Sequence, residues 1–394
     1  MTSDKDAAYV WIWLPNQANP VVAGRLSAQN NQLFFNYGQS YLRREDAIAI
    51  YTPELPLRAG RLDLIPRMDM PSCIRDGSPG AWGRRVIINH ITCKKRDGIT
   101  QTELDELAYL LLSGSDRIGA LDFQESPEIY KPRNPRPATL EELQTASELV
   151  ERGIPLSPDL DQALNHGSSI GGARPKANIT SEGRKFIAKF SGSSDTYSVV
   201  KVEYIAMTLA RKVGIEVAEV ALTQALGKDV LLIERFDRHP RIDKSTQDTV
   251  WCRKSMVSGL TILGLSEMEA RYASYEILAE KIRYQFTQPR ATLLELYKRM
   301  VFNVLVGNTD DHARNHAAFW DGRELRLTPG YDICPQARTG EEASQAMNIH
   351  GENKLSQLSN CLAARNAFQL DENQAIDVIK HQIRIIPPGT QRCV

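Results

Sequence analysis

The chain has 394 residues, 42% of them hydrophobic, enough for two or three domains with sizeable cores. Lysine plus arginine equals aspartate plus glutamate at 48 each, so overall charge gives no general attraction to nucleic acid or membranes. Six scattered cysteines form no CxxC pair, and with no signal peptide or long apolar run the pattern fits free thiols in the reducing cytoplasm, away from any membrane.

Residues 1 to about 8 are polar and expected to be loose. Tyr9–Leu14, Val21–Leu26, Leu33–Tyr37 and Ala47–Tyr51 are short β-branched and aromatic runs divided by Gly, Asn and Pro, which predicts a small antiparallel sheet. Trp82–Thr92 and Thr102–Leu112 read as helices, with Trp82 a packing residue, and Gly119–Phe123 as another strand. Lys131–Pro137 is a proline-spaced linker and the first expected domain boundary. Thr139 and Glu142 form a capping box for a helix ending near Arg152, before Gly153.

His166–Lys176 is glycine-rich, and successive N–H groups in such a loop can cradle an anion. It lacks both the Walker spacing and the dinucleotide fingerprint, and a plain surface turn is the competing reading. Lys185–Phe190 then reads as a strand in which Lys189 sits among apolar neighbours and needs an anionic partner. Nucleotide phosphates are one candidate. The other is Glu203, on a helix Val199–Val213 whose expected apolar face is Val199, Val202, Ile205, Ala206, Leu209 and Val213.

Val220–Thr223 and Val230–Phe236 read as adjacent strands, and the break into Glu234, Arg235 and Phe236 is where a kinase runs its hinge. Glu234 and Phe236 are assigned to an adenine site, while Arg235 and Arg238 read equally as surface charge. Residues 241–255 read as a polar loop, and 266–284, 291–306 and 361–383 as helices.

The helix bearing Leu293, Leu296, Tyr297, Met300, Val301, Val304 and Leu305 stops at Gly307. Asn308, Asp310, Asp311, His312 and Asn315 follow at once, and Leu327–Asp332 lies beyond an apolar-polar run. Phosphoryl transfer needs a carboxylate for the attacking hydroxyl, an amide oxygen five residues on for magnesium, and a second carboxylate after a short hairpin. Asp310, Asn315 and Asp332 stand at those relative positions. His312 and His316 are four apart, yet with no third ligand they read as a loop residue and a surface residue.

Taken in order, Ser169–Lys176, Ile187–Lys189, Leu232–Asp237, Gly307–Asn315 and Leu327–Asp332 resemble the HipA-type serine/threonine kinases, the toxin halves of bacterial HipBA modules, over nearly the whole chain. The resemblance implies an α+β, two-lobed protein-kinase-like fold. Its parts would be a β-rich amino-terminal subdomain over 1–135, an N-lobe-like region over 136–238 and a helical C-lobe over 239–394, with nucleotide in the cleft of the kinase.

It further implies Asp310 as catalytic base and Mg2+ on Asn315 and Asp332. ATP would meet Ser169, Ile170, Gly171, Gly172, Ala173, Lys176, Lys189, Glu234, Arg235, Phe236, His312, Asn315 and Asp332. Ser169, ahead of Ser168, matches an autophosphorylated serine that shuts the kinase off.

The implied partners are a helix-turn-helix, HipB-like antitoxin, operator DNA reached through the antitoxin complex, and a protein substrate in translation. That substrate is an aminoacyl-tRNA synthetase, the glutamyl enzyme, in the best-known members. Val250–Val257 departs from that best-known type, lacking its acidic pair and nearby Gln, which leaves the substrate open. The alternative function is a kinase-like corepressor or scaffold on operator DNA; a small-molecule phosphotransferase is disfavoured by the amino-terminal β-rich region.

Overall fold

Period-two runs separated by turn residues build the amino-terminal sheet, as the sequence predicts. In the computed structural model, which describes residues 6–94, 104–133, 136–164, 167–193, 195–337, 340 and 342–387, these strands are β1 (Ala7–Ile12), β2 (Val21–Gln29), β3 (Gln32–Tyr37) and β4 (Leu121–Gln124). They pair antiparallel in the order β3-β2-β1-β4. Asn30 and Asn31, both at positive φ, make the two-residue turn between β2 and β3. Ala47–Tyr51 is no strand; only Tyr51 bridges, to Leu55. Most of the loose start, the beginning of the Thr102 helix, part of the 131–137 linker, His166 and most of the tail lie outside the described residues.

The chain divides into two compact units, Met1–Val200 with Ala221–Met256, and Lys201–Val220 with Val257–Val394. The first holds a second antiparallel sheet of β5 (Lys176–Ser181), β6 (Arg184–Phe190), β7 (Val220–Ala225) and β8 (Lys228–Glu234), ordered β5-β6-β8-β7. Glu182–Gly183 and Leu226–Gly227, all at positive φ, turn its two hairpins. The helices Ala81–Lys94 and Leu140–Glu151 pack on this sheet through Trp82, Val86, Leu143, Ala146 and Val150 against Ala177, Ala188, Phe190 and Val230. The capping box of Thr139 and Glu142 is present.

Residues 241–255, expected as a loop, instead contribute to a hairpin of β9 (Arg238–Ile242) and β10 (Thr249–Arg253). Its solvated face carries the polar residues that hide a strand from periodicity, and Asp243 closes the turn by accepting from Ser245.

In the second unit β12 (Ala317–Trp320) and β13 (Leu325–Leu327) extend a sheet begun by β11 (Ser255–Ser258). The helix Pro289–Val306 is its core. It starts with proline in the first turn, ends at left-handed Gly307, and buries Leu293, Leu296, Tyr297, Met300, Val301 and Phe302 completely. The expected 266–284 helix is a 3-10 segment, Glu267–Tyr272, followed by the helix Tyr275–Gln285. The expected 361–383 helix is likewise broken, by Gln369 at positive φ, into Leu358–Ala363, a 3-10 turn and Glu372–Ile385. Ile205, expected on the apolar face of the helix Val199–Lys212, is exposed, and the buried stripe runs through Glu203, Ala206, Met207 and Ala210.

Trp82 is wholly buried and its indole N–H donates to the carbonyl of Lys176 at 2.9 Å. Trp82→Ala leaves a large void and an unpaired carbonyl, and is expected to cost about 3–5 kcal/mol, read from urea unfolding. Trp82→Phe, which fills most of the void, is expected to cost less.

Candidate functional site

In the second unit, a left-handed Gly307 at φ 71° ends the buried helix and turns the chain sharply into a polar loop. Asn308 is anchored by its side chain to Asn303 at 3.0 Å and by its N–H to the Asn303 carbonyl at 2.9 Å. Asp310 is left exposed at the apex, while its carbonyl accepts from the His312 N–H at 2.8 Å and from the Asn315 side-chain amide at 3.2 Å. The Asn315 nitrogen is thereby occupied, so its oxygen is the end with lone pairs to offer a cation.

Asp311 and His316 hold this loop from behind. Asp311 is buried, its carboxylate accepting from the His316 Nε2 at 2.9 Å and from the Tyr275 hydroxyl. Burial pushes the Asp311 carboxyl up, but His316 and the two hydrogen bonds bring it below the usual carboxylate range. His316 therefore corrects its expected surface position: it is 3% exposed, edge-on to Tyr275, because the ionised Asp311 beside it needs a donor.

Asp332 follows Gly330 and takes a left-handed backbone, φ 58°, unusual for a residue with a side chain. The loop before it is docked by two backbone bonds, Gly330 N–H to the Glu216 carbonyl at 2.7 Å and Ala218 N–H to the Gly330 carbonyl at 2.9 Å. Asp310 and Asp332 lie near enough to repel. The Asp310 carboxyl is pushed above its ordinary value by desolvation in the loop first, with Asp332 and Asp311 adding and His312 opposing. Nδ1 of His312 is buried with no hydrogen-bond partner.

Two carboxylates that repel, an amide oxygen and an orphaned imidazole nitrogen fit a site completed by a cation and a phosphate. Among the described residues no group of three or more His, Cys, Asp or Glu could hold a metal ion alone. Magnesium does not need one, since it keeps waters and substrate phosphates in its shell beside one or two protein ligands.

In the first unit, β5 and β6 place Lys176 directly opposite Lys189. Cross-strand partners project to the same face, so these two lysines, at 6% exposure each, share one face of the sheet. The Lys176 ammonium donates to the Gly171 carbonyl at 2.9 Å, and the glycine-rich loop folds back over it. Gly80 N–H donates to Ile170 and Trp82 N–H to Gly172, which ties the loop to the start of the helix Ala81–Lys94. Gly172, at φ 90°, comes so close to the Lys176 ammonium that a side chain there would displace it. Ser169 and Ile170 are buried in this arrangement, Gly171 is intermediate and Gly172 and Ala173 are exposed.

Glu234, at the end of β8, pairs with Arg184, and Phe236 is half-buried. Arg235 and Arg238 are not surface charges. Arg235 binds both oxygens of Asp237, the side chains of Asp116 and Asn178, and the Arg117 carbonyl. Arg238 joins the same carboxylates. Burial pushes Asp237 up, yet the two arginines bring it down to about 2. The donors of Arg235 are thus occupied inside the protein, which corrects its expected place among the ATP contacts. Sequence reasoning also missed Asp116, Arg117 and Arg299, although a buried-helix arginine between Tyr297 and Met300 was a visible sign.

One unit thus carries a glycine-rich loop folded over Lys176, and the other a polar loop that brings Asp310 near Asp332. The HipA N-terminal domain matches residues 14–124 and the HipA-like C-terminal domain residues 168–388, so the chain belongs to the HipA-like family. It is 27% identical over 192 residues to the serine/threonine-protein kinase toxin HipA of Shewanella oneidensis. It is 26% identical to Y4dM of Sinorhizobium fredii, over 71% of this chain and 68% of that one, and 30% identical over 152 residues to Y4mE of the same organism. The alignments span 42% of the Shewanella toxin and 33% of Y4mE. HipA in the solved complex of Shewanella oneidensis HipA, HipB and operator DNA shares the fold at a TM-score of 0.67 and 18% identity, over 97% of this chain and 92% of that one. The α+β, kinase-like fold expected from the motifs is therefore the fold of this chain. Among the described residues no helix is long and apolar enough to cross a membrane.

The raised Asp310 carboxyl has a stability consequence. Because the folded protein binds this proton more tightly than the unfolded chain, the metal-free protein loses stability as pH rises from about 4 towards neutrality. Asp310→Asn is expected to flatten that part of the pH–stability curve in chemical denaturation, and Mg2+ with nucleotide to flatten it in the unmodified protein.

Proposed function

We propose that this protein is an ATP- and Mg2+-dependent protein serine/threonine kinase, the toxin of a toxin–antitoxin pair. The observation that carries the reading is the Asp310, Asn315 and Asp332 constellation, in which mutual repulsion of carboxylates is maintained at a cost to stability. Asp310 accepts the proton of the attacking hydroxyl, and His312 sits beside it to balance its charge. Asn315 and Asp332 hold Mg2+, which when bound neutralises the phosphate oxygens. Lys176 and Lys189 meet the nucleotide phosphates together with the glycine-rich loop Ile170–Ala173, and Glu234 and Phe236 flank the adenine.

Ser169 is the proposed autophosphorylation site. It is buried where it stands, so its phosphorylation requires the loop to leave the Gly80 and Trp82 amides, and the added charge then keeps it out of its buried position. A helix-turn-helix antitoxin and operator DNA are the proposed partners, supported by the likeness in fold to the HipA solved with HipB and DNA. The proposed protein substrate is a translation component, with growth inhibition as the outcome. A pure corepressor would gain nothing from the strained Asp332 and the paired lysines.

Protein first treated with phosphatase, then given labelled ATP and Mg2+, is expected to take label on Ser169, located by mass spectrometry. Asp310→Ala is expected to lower the rate by at least about a hundredfold while leaving ATP binding largely intact. Absence of ATP binding and label from the dephosphorylated protein would overturn the kinase reading.

A further inference from the structure

Among the charged side chains of the helix Pro289–Val306, none of which the proposed reaction uses, Glu295 and Arg299 lie one turn apart and pair. Arg299 is 3% exposed, between the core residues Leu296, Tyr297 and Met300. Its Nε donates to the Glu295 carboxylate at 2.9 Å, and one terminal nitrogen donates both to the Glu216 carbonyl at 3.1 Å and to the Thr328 carbonyl at 2.9 Å. The same Glu295 oxygen accepts the Glu216 N–H at 3.1 Å. The pair thus grips both polar groups of one peptide residue and a carbonyl of the Leu327–Asp332 loop.

Beside that grip the two segments exchange the Gly330 and Ala218 backbone bonds, and two residues further on stands Asp332 at φ 58°. A left-handed backbone at a residue with a side chain persists only where its surroundings over-determine it. Here the surroundings are the clamped backbone on one side and the buried Ile333 and Cys334 on the other. The residues that Glu295 and Arg299 hold, 216–218, leave the helix Val199–Lys212, which carries the buried Glu203.

We propose that Glu295 and Arg299 are positioning residues for the divalent cation: they fix the Thr328–Gly330 backbone against residues 216–218 and so set the Asp332 carboxylate. The proposal rests on the reading of Asp332 as a magnesium ligand. An arginine is needed because its planar fork reaches three acceptors in fixed directions, which the point charge of a lysine does not.

The test uses the full chain and Mn2+ as the probe, with affinity read by electron paramagnetic resonance in the presence of a non-hydrolysable ATP analogue. Amide hydrogen exchange at Gly330 and Ala218 is read in the same samples. Arg299→Met is expected to weaken Mn2+ on the order of tenfold, the usual loss when the support of a metal ligand is removed, and to speed exchange at both amides. Arg299→Lys is expected to fall between, with Asp332→Asn as the reference for a lost ligand. Unchanged Mn2+ affinity in Arg299→Met, with faster exchange, would reduce the clamp to ordinary packing and overturn the proposal. Should Arg299→Met fail to fold, Glu295→Gln decides: a smaller loss of Mn2+ affinity in the same direction supports the clamp, and an affinity equal to the parent's overturns it. Failure of the parent protein itself to bind Mn2+ with the analogue instead rejects the site reading.

Discussion

Ionised side chains kept out of water have to be answered by other charges or by hydrogen bonds, and each unit of this protein is organised around such groups. In the first, Arg117 and Asp122 pair at complete burial while Asp116 gathers Lys185, Arg235 and Arg238. Burial alone would raise the Asp116 carboxyl, and Arg235, Arg238 and Lys185, with Arg253 beyond them, hold it well below the usual range. In the second, Asp311 is answered by His316 and Tyr275, and Arg299 by Glu295 and two backbone carbonyls. Removing one member of any such set leaves a dry charge, which makes these networks rigid mounts for the residues attached to them.

The candidate site residues sit beside these networks. Asp310 faces a second carboxylate, Asp332 sits in a left-handed conformation, His312 has an orphaned nitrogen, and Lys176 stands opposite Lys189.

The candidate site could be proposed from sequence because its residues lie in short segments of fixed spacing. Asp310 and Asn315 are joined by a hydrogen bond within one loop, so five residues of sequence carry their relation. The helix before them was legible too, from the spacing of Leu293, Leu296, Met300 and Val304 and the glycine that stops it. The 241–255 hairpin was not, since a solvated strand loses the alternation that betrays a half-buried one, and the 266–284 and 361–383 helices were read through the breaks that divide them. Ile205 and Glu203 show the limit of periodicity itself: a rotation of about one residue exchanged an isoleucine for a glutamate in the buried stripe.

By itself the sequence determined the strands bounded by Gly and Asn, the capped helix at Thr139, the glycine-stopped helix at Gly307 and the local order of the polar loop after it, because each depends on neighbours within a few residues. Only the tertiary structure decided which charges are buried and what answers them. Asp116 meets Arg235 across 119 positions, and Arg299 meets Thr328 across 29. His316 is taken from the expected surface into the core by a partner five residues away whose own burial the spacing did not reveal. Pairings of that kind are set by how elements pack, and an arginine in a sequence looks the same whether it will be solvated or enclosed.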